Sequence, residues 1–240
     1  MANYPDYPMP CFFRPVPWFP TDMAGIVIWL RADSGVTQIS DQVSSWVDQK
    51  SSVDYAQSNG LLKPTYVASV INGQPALGNV VNSTVCLDAG DLSALFPSAA
   101  TLYIIYRAAH LVADSGACAY ETKASGDSYW RYGGNDGYIA TFRIDRLNGI
   151  TLSAPYTGDH CVKVESTASS WKFWVDNNLK TTQGASYSGG AWHRLFASDY
   201  LTTPRNFLKG YIAEVVGLNQ VAAAGDETSF YTYINARYGI

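Results

Sequence analysis

Phe207-Leu208-Lys209-Gly210-Tyr211-Ile212-Ala213-Glu214-Val215-Val216-Gly217-Leu218-Asn219 is the stretch that decides the fold. Its apolar and β-branched residues, opened by Gly210 and closed by Gly217 and Asn219, have the composition of a strand. A short loop follows, and residues 226–238 then form the one convincing helical pattern, with Phe230, Ile234 and Tyr238 at i, i+4 and i+8 and Tyr231 beside them. Gly239 stands where a left-handed helix cap belongs. A last long strand that hands over to a short closing helix makes the rest of the chain the sheets this strand completes. Strict alternation along it puts Glu214 on the face of Ile212, Val216 and Leu218, so the carboxylate is paired, exposed or displaced by a bulge.

Working outward, strand patterns recur with no helical interruption. Residues 26–32 read IVIWLRA, and Asp33-Ser34-Gly35 ends them with turn chemistry. Residues 43–47 form a short piece around Trp46, and 51–63 are polar and loop-like. Residues 65–71 lead into Asn72-Gly73, the strongest hairpin turn in the chain, and return as 75–77. Residues 80–87 read as a strand, with a helical turn over 91–96 capped by Asp91. Segments 101–107, 117–122, 128–132, 138–146 and 161–166 follow, each bounded by Gly, Asn, Asp or Ser. In the last of them Val162 and Val164 mark the buried face. Residues 171–175 turn at Asn177-Asn178 and return as 179–182, and 192–197 complete the set. About a dozen strands predict an all-β, two-sheet antiparallel jelly-roll sandwich with one short C-terminal helix.

The 240 residues include 15% charged and 14% aromatic residues, which suits one such domain, over 24–240, and is too apolar for disorder. The net charge of −4, with no Lys/Arg cluster, excludes nucleic acid as the expected partner, and no apolar run is long enough for a membrane span. Cys11, Cys86, Cys118 and Cys161 contain no C-x-x-C pair, which argues against zinc and favours buried free thiols over two disulfides. The N-terminus has no basic segment followed by an apolar one, so the expectation is synthesis in a host cytoplasm without a signal peptide.

Residues 1–23 differ from all that follows. They hold more than half of the eleven prolines, mixed with Tyr4, Tyr7, Phe12, Phe13, Trp18 and Phe19. Proline fixes φ and removes donors, so the segment reads as an extended arm. Tyr7, Phe12, Phe13, Trp18 and Phe19 are its candidate partner-docking residues; the alternative is that the arm folds over a sheet edge of its own subunit.

Three places together carry a resemblance: Ile28-Trp29-Leu30-Arg31-Ala32-Asp33-Ser34-Gly35, INGQPAL at 71–77, and FLKGYIAEVVGLN with the closing YINARYGI. They resemble the concanavalin-A-like lectin/glucanase superfamily in the laminin-G-like jelly-roll form found in bacterial and phage proteins. That fold hosts lectins, glycosidases and structural modules alike, so the resemblance implies architecture and leaves activity to the site.

Catalytic constellations are not evident. The superfamily's glucanases resemble a Glu-x-Asp-x-x-Glu strand, which this chain lacks; Glu121, Asp145 and Glu165 could meet on neighbouring strands, as could the acids of any solvated sheet. His110, His160 and His193 lie in no motif, and His160 and Cys161, being adjacent on a strand, point to opposite faces. The stretch YWRYGGNDGY is richer. Tyr129, Trp130, Tyr132, Asn135, Asp136 and Tyr138 combine aromatic faces that stack on sugar C–H surfaces with side chains that bind hydroxyls, against the plain alternative of aromatics packed at two strand ends. Calcium could be held by loop acids such as Asp88 and Asp91, or Asn135 and Asp136, although no dense ligand loop exists.

The expectation from sequence is therefore a non-enzymatic structural or adhesion module of a larger assembly. A phage virion surface protein fits it first, as capsid decoration or tail-associated, with other virion proteins or copies of itself as partners and a surface glycan as a further one. The alternative is a free-standing carbohydrate-binding, lectin-like protein, and a more distant one a glycoside hydrolase.

Overall fold

The computed structural model describes residues 17–79, 84–97, 99–108, 120–123, 129–133, 141–143, 149–151, 158–184, 192–197 and 208–240. Among these, seventeen strands run in chain order: β1 (Ile26–Arg31), β2 (Val36–Ile39), β3 (Gln42–Val47), β4 (Asp54–Ala56), β5 (Thr65–Ile71), β6 (Gln74–Asn79), β7 (Leu87–Asp91), β8 (Ala100–Ala108), β9 (Tyr120–Lys123), β10 (Tyr129–Gly133), β11 (Thr141–Arg143), β12 (Gly149–Thr151), β13 (Gly158–Ser166), β14 (Trp171–Val175), β15 (Asn178–Gln183), β16 (Trp192–Leu195) and β17 (Gly210–Leu218). Helix α1 (Ala224–Tyr238) follows.

Antiparallel pairing divides the strands into two layers. The first runs β15-β14-β13-β8-β17, and the far edge of β17 is shared: β6 takes Gly210 to Ile212 and β1 takes Glu214 to Leu218, with β5 outside β6. The second runs β2-β3-β4-β7-β16-β9-β10-β11-β12. Gln42 pairs with Thr65 between β3 and β5, so the layers are one sheet folded over. This is the sandwich with a C-terminal helix that the sequence predicts.

Two cores explain the composition of the first layer. Ile28, Leu30, Leu102, Ile104, Tyr106, Val162, Val164, Ile212 and Val215 face Trp46, Tyr55, Leu87, Leu195 and Phe196 of the second layer. On the opposite face Ile26, Trp29, Tyr103, Ile105, Val216 and Leu218 meet Phe230, Ile234 and Tyr238 of α1. A strand buried on both sides reads as a nearly continuous apolar run, which is why β17 does not simply alternate. The Phe230 ring lies 4.2 Å from that of Tyr103, fixing the helix on the sheet. Gly239 takes φ 72° and its N–H donates to the Asn235 carbonyl, closing α1 with the left-handed cap expected of it.

Some local expectations shift. Of the strand placed at 80–87, residues 80–83 lie outside the described residues and 84–86 are not strand; β7 begins at Leu87, and Asp91 ends it, its side chain accepting from the Ser93 N–H at 2.9 Å instead of capping a helix. The segment 51–63 contains β4, because fully buried Tyr55 anchors a three-residue strand. The hairpin after β14 turns at Asp176 and Asn177, with φ of 47° and 60°, one residue earlier than read, since Val175 pairs with Asn178. Cys86 and Cys161 are buried free thiols; Cys11 and Cys118 lie outside the described residues.

Candidate functional site

The glycan-site reading falls on β10 and on residues beyond it. Asn135, Asp136 and Tyr138 lie outside the described residues, whereas Tyr129, Trp130 and Tyr132 belong to β10, between β9 and β11 in the second layer. Register splits them between two faces. Trp130 stands opposite Thr122, which stands opposite His193; Tyr132 stands opposite Phe142, which stands opposite Ile150. His193 is 2% exposed and stacks on Phe96 of the inter-sheet core at 5.2 Å, so this is the inner face. Trp130 and Tyr132 thus occupy positions on the apolar inner face, while Tyr129 occupies one on the outer face.

The outer face is polar and aromatic. One register row crosses it as Asp91, Trp192, Lys123 and Tyr129, from β7 through β16 and β9 to β10. Beside it, Asp88 stands opposite Arg194, and the two form a bidentate pair, Nε to Oδ1 at 2.5 Å and Nη2 to Oδ2 at 3.0 Å. Arg194 is only 4% exposed, so this fork holds a buried guanidinium. Trp192 and Lys123 escaped the sequence reading. The signal that could have found this face was the alternation within YWRYG, which puts Tyr129 and Arg131 on one side and Trp130 and Tyr132 on the other.

Among the described residues, Glu214, Glu165 and His160 are engaged in the structure's own bonds. Glu214 is fully buried; β17 is irregular between Ile212 and Glu214, and this bulge separates Ile212 from the helix-side face that Glu214 shares with Val216 and Leu218. Its carboxylate accepts from Trp29 Nε1 at 2.6 Å, Tyr238 Oη at 2.6 Å and Tyr233 Oη at 3.0 Å, with Arg237 Nε 3.9 Å away. Burial pushes this carboxyl above the usual range, against the pull of those donors and of Arg237. Glu165 lies 3.3 Å from Lys172 Nζ and 3.8 Å from Lys163 Nζ in the first layer, whereas Glu121 is on β9 in the second, so these two do not form a catalytic pair. Asp145 lies outside the described residues. Cys161 is buried on the helix side, where desolvation raises its thiol far from reactivity, and His160 Nδ1 is 2.7 Å from Asp176.

For the calcium reading, both Asp88 oxygens face Arg194 and Asp91 is engaged with Ser93; among the described residues no three His, Cys, Asp or Glu side chains gather as a metal site. Of the arm, Tyr7, Phe12 and Phe13 lie outside the described residues. Trp18 and Phe19 rest on the domain itself, Trp18 on Tyr233 at 6.1 Å and Phe19 on Trp29 at 6.3 Å. Trp18, Gln74, Thr232, Tyr233 and Arg237 line an open groove of about 580 Å³ beside α1. Among the described residues no helix is long and apolar enough to cross a membrane.

No family model matches the chain, and no curated protein matches it in sequence. Solved structures do match in fold. The Trypanosoma rangeli sialidase in complex with sialic acid is 12% identical with a TM-score of 0.63, over 87% of this chain and 33% of the sialidase. Domain 4 of a GH43 extracellular arabinanase from Geobacillus stearothermophilus, in complex with arabinotriose, is 11% identical with a TM-score of 0.60, over 88% of this chain and 99% of that domain. The binding domain of botulinum neurotoxin DC, in complex with SialylT, is 8% identical with a TM-score of 0.59, over 88% of this chain and 52% of the other. The chain thus spans about a third of the sialidase and about half of the toxin domain. These likenesses support the β-sandwich, lectin-like fold. They correct the expectation of a phage virion component with virion partners: these three matching folds belong to a sialidase, an arabinanase and a toxin's binding domain.

Proposed function

We propose that this domain binds carbohydrate and does not cleave it. The observation that carries the reading is the division of the second layer: Trp130, Tyr132, Phe142 and Ile150 hold positions on the inner face, and Trp192, Lys123 and Tyr129 form one row on the outer face. Aromatic positions separated by one strand, beside hydrogen-bonding residue types, suit stacking on pyranose rings with polar contacts to their hydroxyls. The matching folds in complex with arabinotriose, sialic acid and SialylT add fold-level support. The absence of cleavage is proposed from Glu165, which is paired with two lysines and lies in the other layer from Glu121.

A glycan array with the full chain, repeated with Trp192→Ala and Tyr129→Ala, tests the reading. The expected result is selective binding that either substitution reduces at least about tenfold with the melting temperature kept, in line with the loss of one aromatic contact and its surroundings. Binding to no glycan at all would overturn it. Release of reducing sugar from a bound polysaccharide would overturn the non-catalytic part alone.

A further inference from the structure

The charged row on the second layer's outer face alternates in sign and then stops alternating. Followed from strand to strand by register, Asp88 stands opposite Arg194, Arg194 opposite Glu121, Glu121 opposite Arg131, Arg131 opposite Arg143, and Arg143 opposite Gly149. Up to Arg131 every cationic position has an acidic one beside it, the arrangement that stabilises cross-strand neighbours. At Arg143 the pattern breaks. Two arginine positions face each other directly, and the next position carries no side chain. Like charges opposite one another are destabilising in a sheet, and a bound anion is one way to relieve such an arrangement.

The positions around the break suit a sugar acid. Gly133 and Gly149 occupy outer-face positions in the two rows, a residue type that allows close approach to a backbone. Thr141 and Thr151, opposite each other in the next row, supply hydroxyl-bearing positions, and Tyr129 is the aromatic one two residues before Arg131 on the same face.

Resting on the carbohydrate-binding reading, we propose that this end of the outer face is the subsite for a carboxylate-bearing saccharide, with Arg131 and Arg143 taking the carboxylate and Tyr129 the ring. A guanidinium offers a planar fork of donors that matches a carboxylate, which a neutral sugar cannot exploit.

The test compares matched probes by titration calorimetry on the full chain: trigalacturonic acid against its neutral methyl ester, and 3′-sialyllactose against lactose. In at least one pair the acid should bind about tenfold or more tightly than its neutral partner, with a preference that falls as salt rises. Arg143→Gln should reduce that preference to about twofold or less while Arg143→Lys keeps part of it, because the point charge survives without the fork. Circular dichroism and melting curves check that each variant folds, and Arg131→Gln serves in its place if Arg143→Gln does not. Equal binding of acid and neutral probe overturns this inference and leaves the carbohydrate reading standing. So does an acid preference untouched by either arginine substitution. No binding to any probe, together with a blank glycan array, removes both.

Discussion

Tyr238, the last residue of α1, donates a hydrogen bond to Glu214 of β17 at 2.6 Å in a site where the carboxylate is fully buried. Trp29 of β1 and Tyr233 of α1 converge on the same carboxylate, so one side chain ties the helix to two strands. Glu214→Ala would leave these buried donors without their acceptor and is expected to cost about 3 kcal/mol or more. Urea denaturation measures it; a loss under about 1 kcal/mol would mean that water replaces the carboxylate.

The same carboxyl gives the fold a pH dependence. Burial raises its folded-state value above that of the unfolded chain, which is about 4.3. In the window above that value the folded state holds more protons than the unfolded one, so stability is full below it and declines as pH rises towards the folded-state value. Glu214→Gln should flatten that decline in melting temperatures taken upwards from about pH 4. An unchanged slope would assign the effect to other groups.

Phe230 is fully buried between Tyr103 and the rest of the helix-side core. Phe230→Ala is expected to destabilise the domain by about 3–5 kcal/mol, read from chemical denaturation. A smaller loss would show that α1 settles into the space left behind.

Gly78 stands opposite Tyr211 in the pairing of β6 with β17. A Cβ there would come within 2.0 Å of the Gly210 carbonyl oxygen and 2.8 Å of Tyr211 Cα, backbone atoms that cannot swing aside. Gly78→Ala is therefore expected to cost about 3 kcal/mol, at the upper end of overpacking effects, and to lower soluble yield.

The architecture was legible in the sequence because its signals are local: Asn72-Gly73, the Phe230, Ile234, Tyr238 stripe and the alternating valines of β13 each specify their own geometry. The bulge before Glu214 was legible only as one of three alternatives, because what selects it is a set of donors from residues 29, 233 and 238. The candidate face was harder. YWRYG announces a strand but not its neighbours, and Tyr129 gains its row only when β9 and β16 lie alongside. Within β10 the pleat sets neighbours in sequence on opposite faces, which parts Tyr129 from Trp130 and Tyr132. The row through Arg131 and Arg143 depends on five strand pairings, which no local pattern encodes.

The shared edge of β17 has a kinetic corollary. Ile26 of β1 pairs with Leu218, and β8 pairs along nearly the whole of β17, so strands from the first half of the chain wait for residues 210–218 before the first layer can close. Until then a ribosome-bound chain displays apolar strand edges with no native mate. Loops of this span close slowly, and unpaired edges recruit other chains meanwhile. The hazardous interval in making this protein falls just before β17 emerges, and slower synthesis at lower temperature, or a chaperone that shields β1 and β8, is expected to raise the yield of folded chain.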